Sequence, residues 1–191
     1  MGRSRLTPER EAELYNAVLE LLREVGYDAL TMDAVAARTR SSKATLYRQW
    51  QGKPELVARA LQSCKPVSTA DVDTGSLRGD LAELVCRADE AGQMEKDAAL
   101  MRGLGMAIHG NPDLHRALRD VLLDPEVTGL NAMLQRAIDR GEIAADCPAL
   151  RFAPHMLVGA LVAEQLIEDR SADVAFLSAY LDAVVLPALG L

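Results

Sequence analysis

Apolar residues recur along most of the chain at spacings of three and four, the period that places them on one face of an α-helix. Near the N-terminus this spacing produces a stripe of Leu14, Ala17, Val18, Leu21 and Leu22. Two Phe, four Tyr and one Trp leave little material for the core of a β-sheet. The pattern therefore predicts an all-α fold of about nine helices.

Short helices are predicted before residue 66 because capping residues and helix breakers alternate there. Thr7-Pro8-Glu9 supplies a capping hydroxyl, a proline at the first helical position and an acidic first turn. Thr31 and Ser42 are equivalent capping residues for the next two helices. The four predicted helices run from Thr7 to Gly26, from Thr31 to about Thr39, from Ser42 to about Trp50, and from Lys53 to near Cys64.

The segment 65–76 has no helical stripe and is rich in Pro, Gly, Ser and Thr, so it predicts a domain boundary. We expect one domain at residues 1–66 and a second at residues 67–191. Pro125 predicts a break in the second domain, and Pro154 requires its helix to begin near Phe152 or to bend. The helical patterns beyond the boundary are Leu77 to Ala91, Met94 to His109, Pro112 to Arg140, Pro148 to Asp169 and Ala172 to Leu189.

Charge is distributed unevenly along the chain. The formal net charge is −7, but residues 1–66 contain 11 basic and 8 acidic residues, whereas residues 67–191 contain 10 and 20. A polyanion such as DNA requires local positive potential, so only the first domain is suited to approach it.

Several classes of protein lack their sequence signals here. No apolar stretch follows the first residues, and we expect a soluble cytoplasmic protein without a membrane partner. Cys64, Cys86 and Cys147 lie far apart, so neither a disulfide framework nor a metal site is predicted. Glycine-rich phosphate loops, GxSxG and HExxH are absent, so we expect neither an enzyme nor a bound cofactor.

Residues 31–50 match the requirements of a helix-turn-helix, in which a bracing helix and a tight turn precede a second helix that enters the major groove. Val35 gives the first helix an apolar face, and Leu46 with Trp50, at a spacing of four, seats the second. This segment contains one acidic residue, Asp33, and four basic residues, so its exposed surface is predicted to be basic. Those basic residues are Arg38, Arg40, Lys43 and Arg48.

Three segments, Leu30 to Arg38, Ser42 to Arg48 and Lys53 to Leu56, resemble in order and without gaps the DNA-binding signature of TetR-family regulators. The resemblance implies that Thr31, Tyr47 and Lys53 contact phosphates. It also implies that Lys43 and Thr45 read the major groove, with Arg48 as a further candidate. Lys53 precedes a helix whose first N–H groups favour an anion, which supports its role independently. The predicted DNA-facing residues are Thr31, Arg40, Ser42, Lys43, Ala44, Thr45, Tyr47, Arg48 and Lys53.

The turn departs from the family pattern, which has glycine followed by a small apolar residue. This chain has Arg40 followed by Ser41. Either Arg40 adopts the left-handed backbone of the turn at a cost, or the turn differs locally.

The resemblance implies that residues 67–191 bind a small effector and form a homodimer through their last two long helices, where Gly159 and Ala163 would allow close approach. The alternative is that these helices only close the core of one subunit. Candidate pocket residues are Met101, His109, Met133, Met156 and Glu164, although each Met also suits core filling and each His a cap. The function implied is that of a repressor released from a palindromic operator by a mostly hydrophobic effector. An activator, or a regulator without a small-molecule signal, is the alternative.

Overall fold

The computed structural model describes residues 6–63, 68–89, 104 and 107–191, and every regular element in these residues is helical, which confirms the all-α prediction. The chain divides into two compact units. The first combines Met1–Lys65 with Ala99–Asp124, and the second combines Pro66–Ala98 with Pro125–Leu191. The chain first passes between them inside the segment predicted as a boundary. Most of the helix predicted from Met94 to His109 lies outside the described residues.

The helices are numbered here in chain order. They are α1 (Pro8–Ala29), α2 (Met32–Thr39), α3 (Lys43–Gln49), α4 (Lys53–Ser63), α5 (Leu77–Asp89), α6 (Pro112–Leu118), α7 (Asp124–Asp139), α8 (Ala153–Glu168), α9 (Val174–Tyr180) and α10 (Leu186–Leu189). Short 3₁₀ turns at Thr69–Asp71 and Leu150–Phe152 precede α5 and α8.

The predicted N-caps of the first three helices are confirmed. The hydroxyl of Thr7 accepts a hydrogen bond from the backbone N–H of Arg10 at 3.3 Å. Thr31 caps α2 and Ser42 caps α3 in the same way, each at 3.1 Å. Gly26 adopts φ 74° and ψ 171°, so the helical path of α1 is interrupted where its end was predicted, and one further turn leads to Ala29.

The core of the first unit forms where α1 packs on α4 and α4 packs on α6. Leu14, Val18, Leu21 and Leu22 are buried as predicted, and Ala17 is half-buried. Tyr15, Leu19 and Tyr27 are also buried on α1, which the stripe did not predict. Residues from beyond the first 66 complete this core, namely Leu104, Leu114, Leu118, Val121 and Leu122.

Pro125 does not break the helix, contrary to the sequence prediction. The chain instead widens into a π-helical turn at Arg119–Leu123 and continues as α7. A proline has no N–H to donate to the carbonyl four residues earlier, which is that of Val121. Gln62 Nε2 donates to this carbonyl at 2.9 Å, so the acceptor is satisfied without ending the helix. A second π-helical turn, at Leu181–Val185, likewise comes directly before a helix with a proline in its first turn, Pro187.

The second unit has its own apolar core, to which α5, α7, α9 and α10 contribute. Its 3₁₀ turn lies against α7 at Gly129, where Thr69 Oγ1 donates to the carbonyl of Glu126 at 2.9 Å. A Cβ at Gly129 would lie 2.1 Å from Thr69 Oγ1, so only glycine permits this approach. Pro154 occupies the first turn of α8, which begins at Ala153 as predicted.

A buried carboxylate joins the loop before α5 to the end of α7. Asp80 is fully buried, and its Oδ1 accepts hydrogen bonds from the backbone N–H of Thr74 at 2.6 Å and from its hydroxyl at 2.7 Å. Arg136 and Arg140 each approach Asp80 Oδ2 at 3.8 Å, so two cations lie beside this buried side chain. Within the described ranges, no helix has the length and apolar character needed to cross a bilayer.

Candidate nucleic-acid interface

The turn between α2 and α3 is closed by Arg40 in the left-handed conformation, with φ 51° and ψ 36°. Two backbone hydrogen bonds fix it: Ser41 N–H donates to the carbonyl of Ala36 at 3.0 Å, and Arg40 N–H donates to that of Ala37 at 3.4 Å. This pair of bonds is the Schellman arrangement that commonly ends a helix at glycine. The first of the two alternatives is therefore confirmed, since the turn has the expected geometry and Arg40 adopts it.

The inner face of α3 is fixed to α1. Leu46 and Trp50 are buried as predicted, and Trp50 Nε1 donates to the hydroxyl of Tyr15 at 3.3 Å. Tyr15 in turn donates to Glu11 Oε1 at 2.8 Å, and Gln49 Nε2 donates to the same oxygen at 3.3 Å. Burial, together with the bond to Glu11, raises the pKa of Tyr15 to about 12. These contacts hold α3 at a defined orientation on the first unit.

The outer face of α3 is open to solvent. Lys43, Ala44, Tyr47 and Arg48 are exposed, and 54% of Tyr47 is accessible, a large fraction for an aromatic residue. Thr45 is half-buried and its hydroxyl lies 2.8 Å from that of Ser42. The predicted recognition residues therefore share one accessible surface.

This surface is less basic than the sequence predicts, which corrects the expectation that Arg38, Arg40, Lys43 and Arg48 all contribute free positive charge to it. Arg38 points back to α1, where its Nη2 lies 2.7 Å from Glu24 Oε2 and its Nη1 lies 3.7 Å from Glu20. The hydrogen bonds that Arg38 donates to Glu24 raise the pKa of Arg38 and lower that of Glu24, so the pair stays ionised. Lys43 forms an ion pair with Asp33. The side chains of Arg40 and Arg48 are exposed.

Lys53 opens α4 as predicted and binds α1. Its Nζ donates to the carbonyl of Tyr27 at 2.8 Å and lies 4.1 Å from the centroid of the Tyr27 ring. Burial lowers the pKa of Lys53, and the nearby Asp28 opposes this effect. An ammonium has three protons, so the bond to Tyr27 leaves donors for a phosphate. Sequence reasoning missed this contact because Tyr27 belongs to a different helix and lies 26 positions before Lys53 in the chain.

The candidate pocket residues have different environments. His109 belongs to the first unit and is exposed, whereas Met133, Met156 and Glu164 belong to the second. Met133 is fully buried in the second core, a position that suits core filling, and Met156 is partly buried against that core. Glu164 is buried and forms an ion pair with Arg170 at 2.5 Å. Met101 lies outside the described residues, and the residues that are described contain no cluster of His, Cys, Asp and Glu suited to a metal ion.

A braced pair of short helices, a tight turn and an accessible second helix define a helix-turn-helix DNA-binding protein. Comparison with known families agrees: residues 14–60 match the bacterial regulatory proteins of the tetR family, and residues 71–184 match the Tetracyclin repressor-like C-terminal domain. The chain belongs to the TetR family of transcriptional regulators. It is accordingly a DNA-binding regulator and not an enzyme.

Relatives cover nearly the whole chain. An uncharacterized HTH-type transcriptional regulator of Mycobacterium tuberculosis (strain ATCC 25618 / H37Rv) is 39% identical over 94% of this chain and 88% of its own length. A protein of Mycobacteroides abscessus named DNA-binding transcriptional repressor TetR is 33% identical over 93% of this chain and 92% of its own. The crystal structure of the TetR family transcription regulator SCO0332 superposes with a TM-score of 0.73 at 28% identity, covering 94% of this chain and 98% of that one. Salmonella enterica GusR shares the fold, with a TM-score of 0.70 at 20% identity over 99% and 100% of the two chains.

Proposed function

We propose that this regulator is a repressor that binds a palindromic operator as a homodimer and is released by a small, mostly hydrophobic effector. The observation that carries the proposal is the helix α3, whose inner face is fixed to α1 while its outer face is accessible. Repression is the activity named for the relative from Mycobacteroides abscessus. We expect it to act on DNA in the cytoplasm.

On the operator, we assign base reading to Lys43 and Thr45, with Arg48 as a further reader. Thr31, Tyr47 and Lys53 bind phosphates beside the groove. A hydroxyl that accepts a bond from its own helix can still donate to a phosphate oxygen, so the capping roles of Thr31 and Ser42 are compatible with DNA contacts. Arg40 and Ala44 complete the surface against the duplex.

The exposed face of α8 supports a homodimer. Only Ala153, Ala160 and Glu164 of this helix are buried. Its outward positions are large and apolar: Val158, Leu161, Val162, Leu166 and Ile167 are between 46% and 83% exposed. An apolar patch of this kind marks an interface, and a second copy of the same helix is its natural complement. Gly159 and Ala163 lie on the same face, where they allow close approach of the partner helix.

A homodimer with twofold symmetry presents two copies of α3, which explains the proposed palindrome. Successive major grooves lie about 34 to 36 Å apart, so both helices bind together only at that separation. An effector that favours a dimer with another separation therefore lowers operator affinity, provided that it binds the two states unequally. The effector site is assigned to the second domain because that part of the chain matches the C-terminal domain of the family.

The first experiment is selection of bound sequences from a random duplex library, followed by measurement of the mass of the complex. A palindromic sequence bound by two or four chains supports operator recognition by a dimer. The selected operator then serves to screen small apolar molecules for loss of binding. Absence of any enriched sequence at low salt contradicts the proposed function, and an operator whose affinity no bound ligand changes contradicts the release step.

A further inference from the structure

Asp33 is the one acidic residue among positions 31–50, and it lies beside the proposed base reader Lys43. It occupies the first turn of α2, and its Oδ1 contacts Lys43 Nζ across the turn of the helix-turn-helix. The two side chains are 61% and 58% exposed, so the ion pair lies at the solvent edge of the DNA-facing surface. A carboxylate at this position repels phosphates, and it therefore lowers affinity for every DNA sequence.

The backbone that carries Asp33 is fixed. Thr31 caps α2, and Met32 and Val35, on either side of Asp33, are buried in the core of the first unit. Lys43, by contrast, ends in an ammonium on a flexible four-carbon stem with many rotamers. Pairing with a fixed carboxylate restricts those rotamers, and two of the three ammonium protons stay available for acceptors on a base edge.

We infer that Asp33 is a specificity-determining residue that positions Lys43 and stays paired with it in the operator complex. The inference rests on the proposed operator binding. A lysine held at one point discriminates between base edges, because a shifted acceptor is out of its reach. A lysine free to swing contacts whichever base or phosphate is nearest, and it then contributes to binding without selecting a sequence.

A different role for the same pair makes an opposite prediction. If Lys43 left Asp33 on binding the operator, removal of Asp33 would spare the cost of breaking the pair. Operator binding would then gain at least as much as binding to other sequences. If the pair persists in the complex, removal of Asp33 instead reduces discrimination while binding to unrelated DNA becomes tighter.

The test compares wild type with Asp33→Asn, Lys43→Met and the double variant, and Asp146→Asn is the matched control. Asp146 is an exposed acid of the second unit, so its replacement changes the net charge equally. The operator base read by Lys43 is the one at which Lys43→Met loses preference in the library selection. Affinities are then measured for the operator, for the operator substituted at that base, and for an unrelated duplex.

Asp33→Asn is expected to reduce the preference at this base about tenfold, the size of one lost base contact, and to tighten binding to the unrelated duplex about threefold. The double variant should show the same base preference as Lys43→Met, and Asp146→Asn should match wild type. Unchanged preference at this base, or tighter operator binding by Asp33→Asn with discrimination preserved, overturns the inference. Failure of wild type itself to select any sequence contradicts the proposed function instead.

Discussion

Replacement of Arg40 by glycine should stabilise the protein. A residue with a Cβ pays about 1 to 2 kcal/mol in the left-handed conformation that Arg40 adopts at φ 51°. Glycine avoids this strain but gains freedom in the unfolded chain, which costs about 0.5 to 1 kcal/mol. The Arg40 side chain is exposed, so little packing is lost with it. The net expectation is a gain of about 0.5 to 1 kcal/mol, equivalent to about 2 °C in melting temperature for a chain of this size.

Thermal unfolding followed by circular dichroism measures this difference, with Arg40→Ala as the control. Alanine removes the same guanidinium and keeps the strain, so its melting temperature should not exceed that of wild type. The glycine variant should therefore melt above the alanine variant. Equal melting temperatures, or a lower one for glycine, would show that the turn is not strained. Both variants lose one cation from the DNA-facing surface, so both should bind the operator more weakly by the same factor.

Five further substitutions test other parts of the molecule. Tyr15→Phe removes two hydrogen bonds and should lower the free energy of unfolding by about 1 kcal/mol, whereas Tyr27→Phe should not, because the buried Tyr27 hydroxyl has no partner among the described residues. The pKa of each tyrosine is raised from 10.0 to about 12, mainly by burial, so both favour folding below pH 10 and lose this contribution as the pH rises through 12. Tyr27→Phe should therefore flatten the loss of stability in alkaline denaturation, and an unchanged slope would contradict its burial. Gly129→Ala should cost about 2 kcal/mol in urea unfolding, because the added Cβ would displace the 3₁₀ turn from α7. Leu166→Glu should halve the mass of the protein measured by sedimentation, because it puts a charge into the proposed dimer interface. Val25→Glu is the control, since it changes an exposed apolar residue of α1 and should leave the mass unchanged. A Leu166→Glu variant that stays dimeric would argue against the α8 interface.

Helix starts could be predicted from the sequence because capping is chemistry between residues two or three positions apart. Thr7, Thr31 and Ser42 each bond to an N–H in their own first turn, and no distant residue is needed. The seating of α3 by Leu46 and Trp50 followed from spacing for the same reason. The helix-turn-helix could therefore be predicted from the sequence alone.

The electrostatic partners could not be predicted, since they come from other helices. The sequence predicts Arg38 as one of four cations of a basic surface, but in the fold its guanidinium pairs with Glu24 of α1. The outcome at Pro125 also depended on a distant residue, because Gln62 supplies the donor that the proline lacks. The DNA-facing surface is therefore less basic than the composition of residues 31–50 predicts.

The composition of the first core limits how this regulator can be divided or recombined. Leu114, Leu118 and Val121 are buried together with residues of α1 and α4, although they follow them by more than fifty positions. A fragment cut at residue 66 would expose the apolar faces that these leucines and valine cover, and it should aggregate or unfold. A chimera that joins the first 66 residues to the remainder of another family member would inherit an unmatched core. Exchange of operator preference between relatives is therefore better achieved by transplanting the outer face of α3 than by exchanging a whole N-terminal segment.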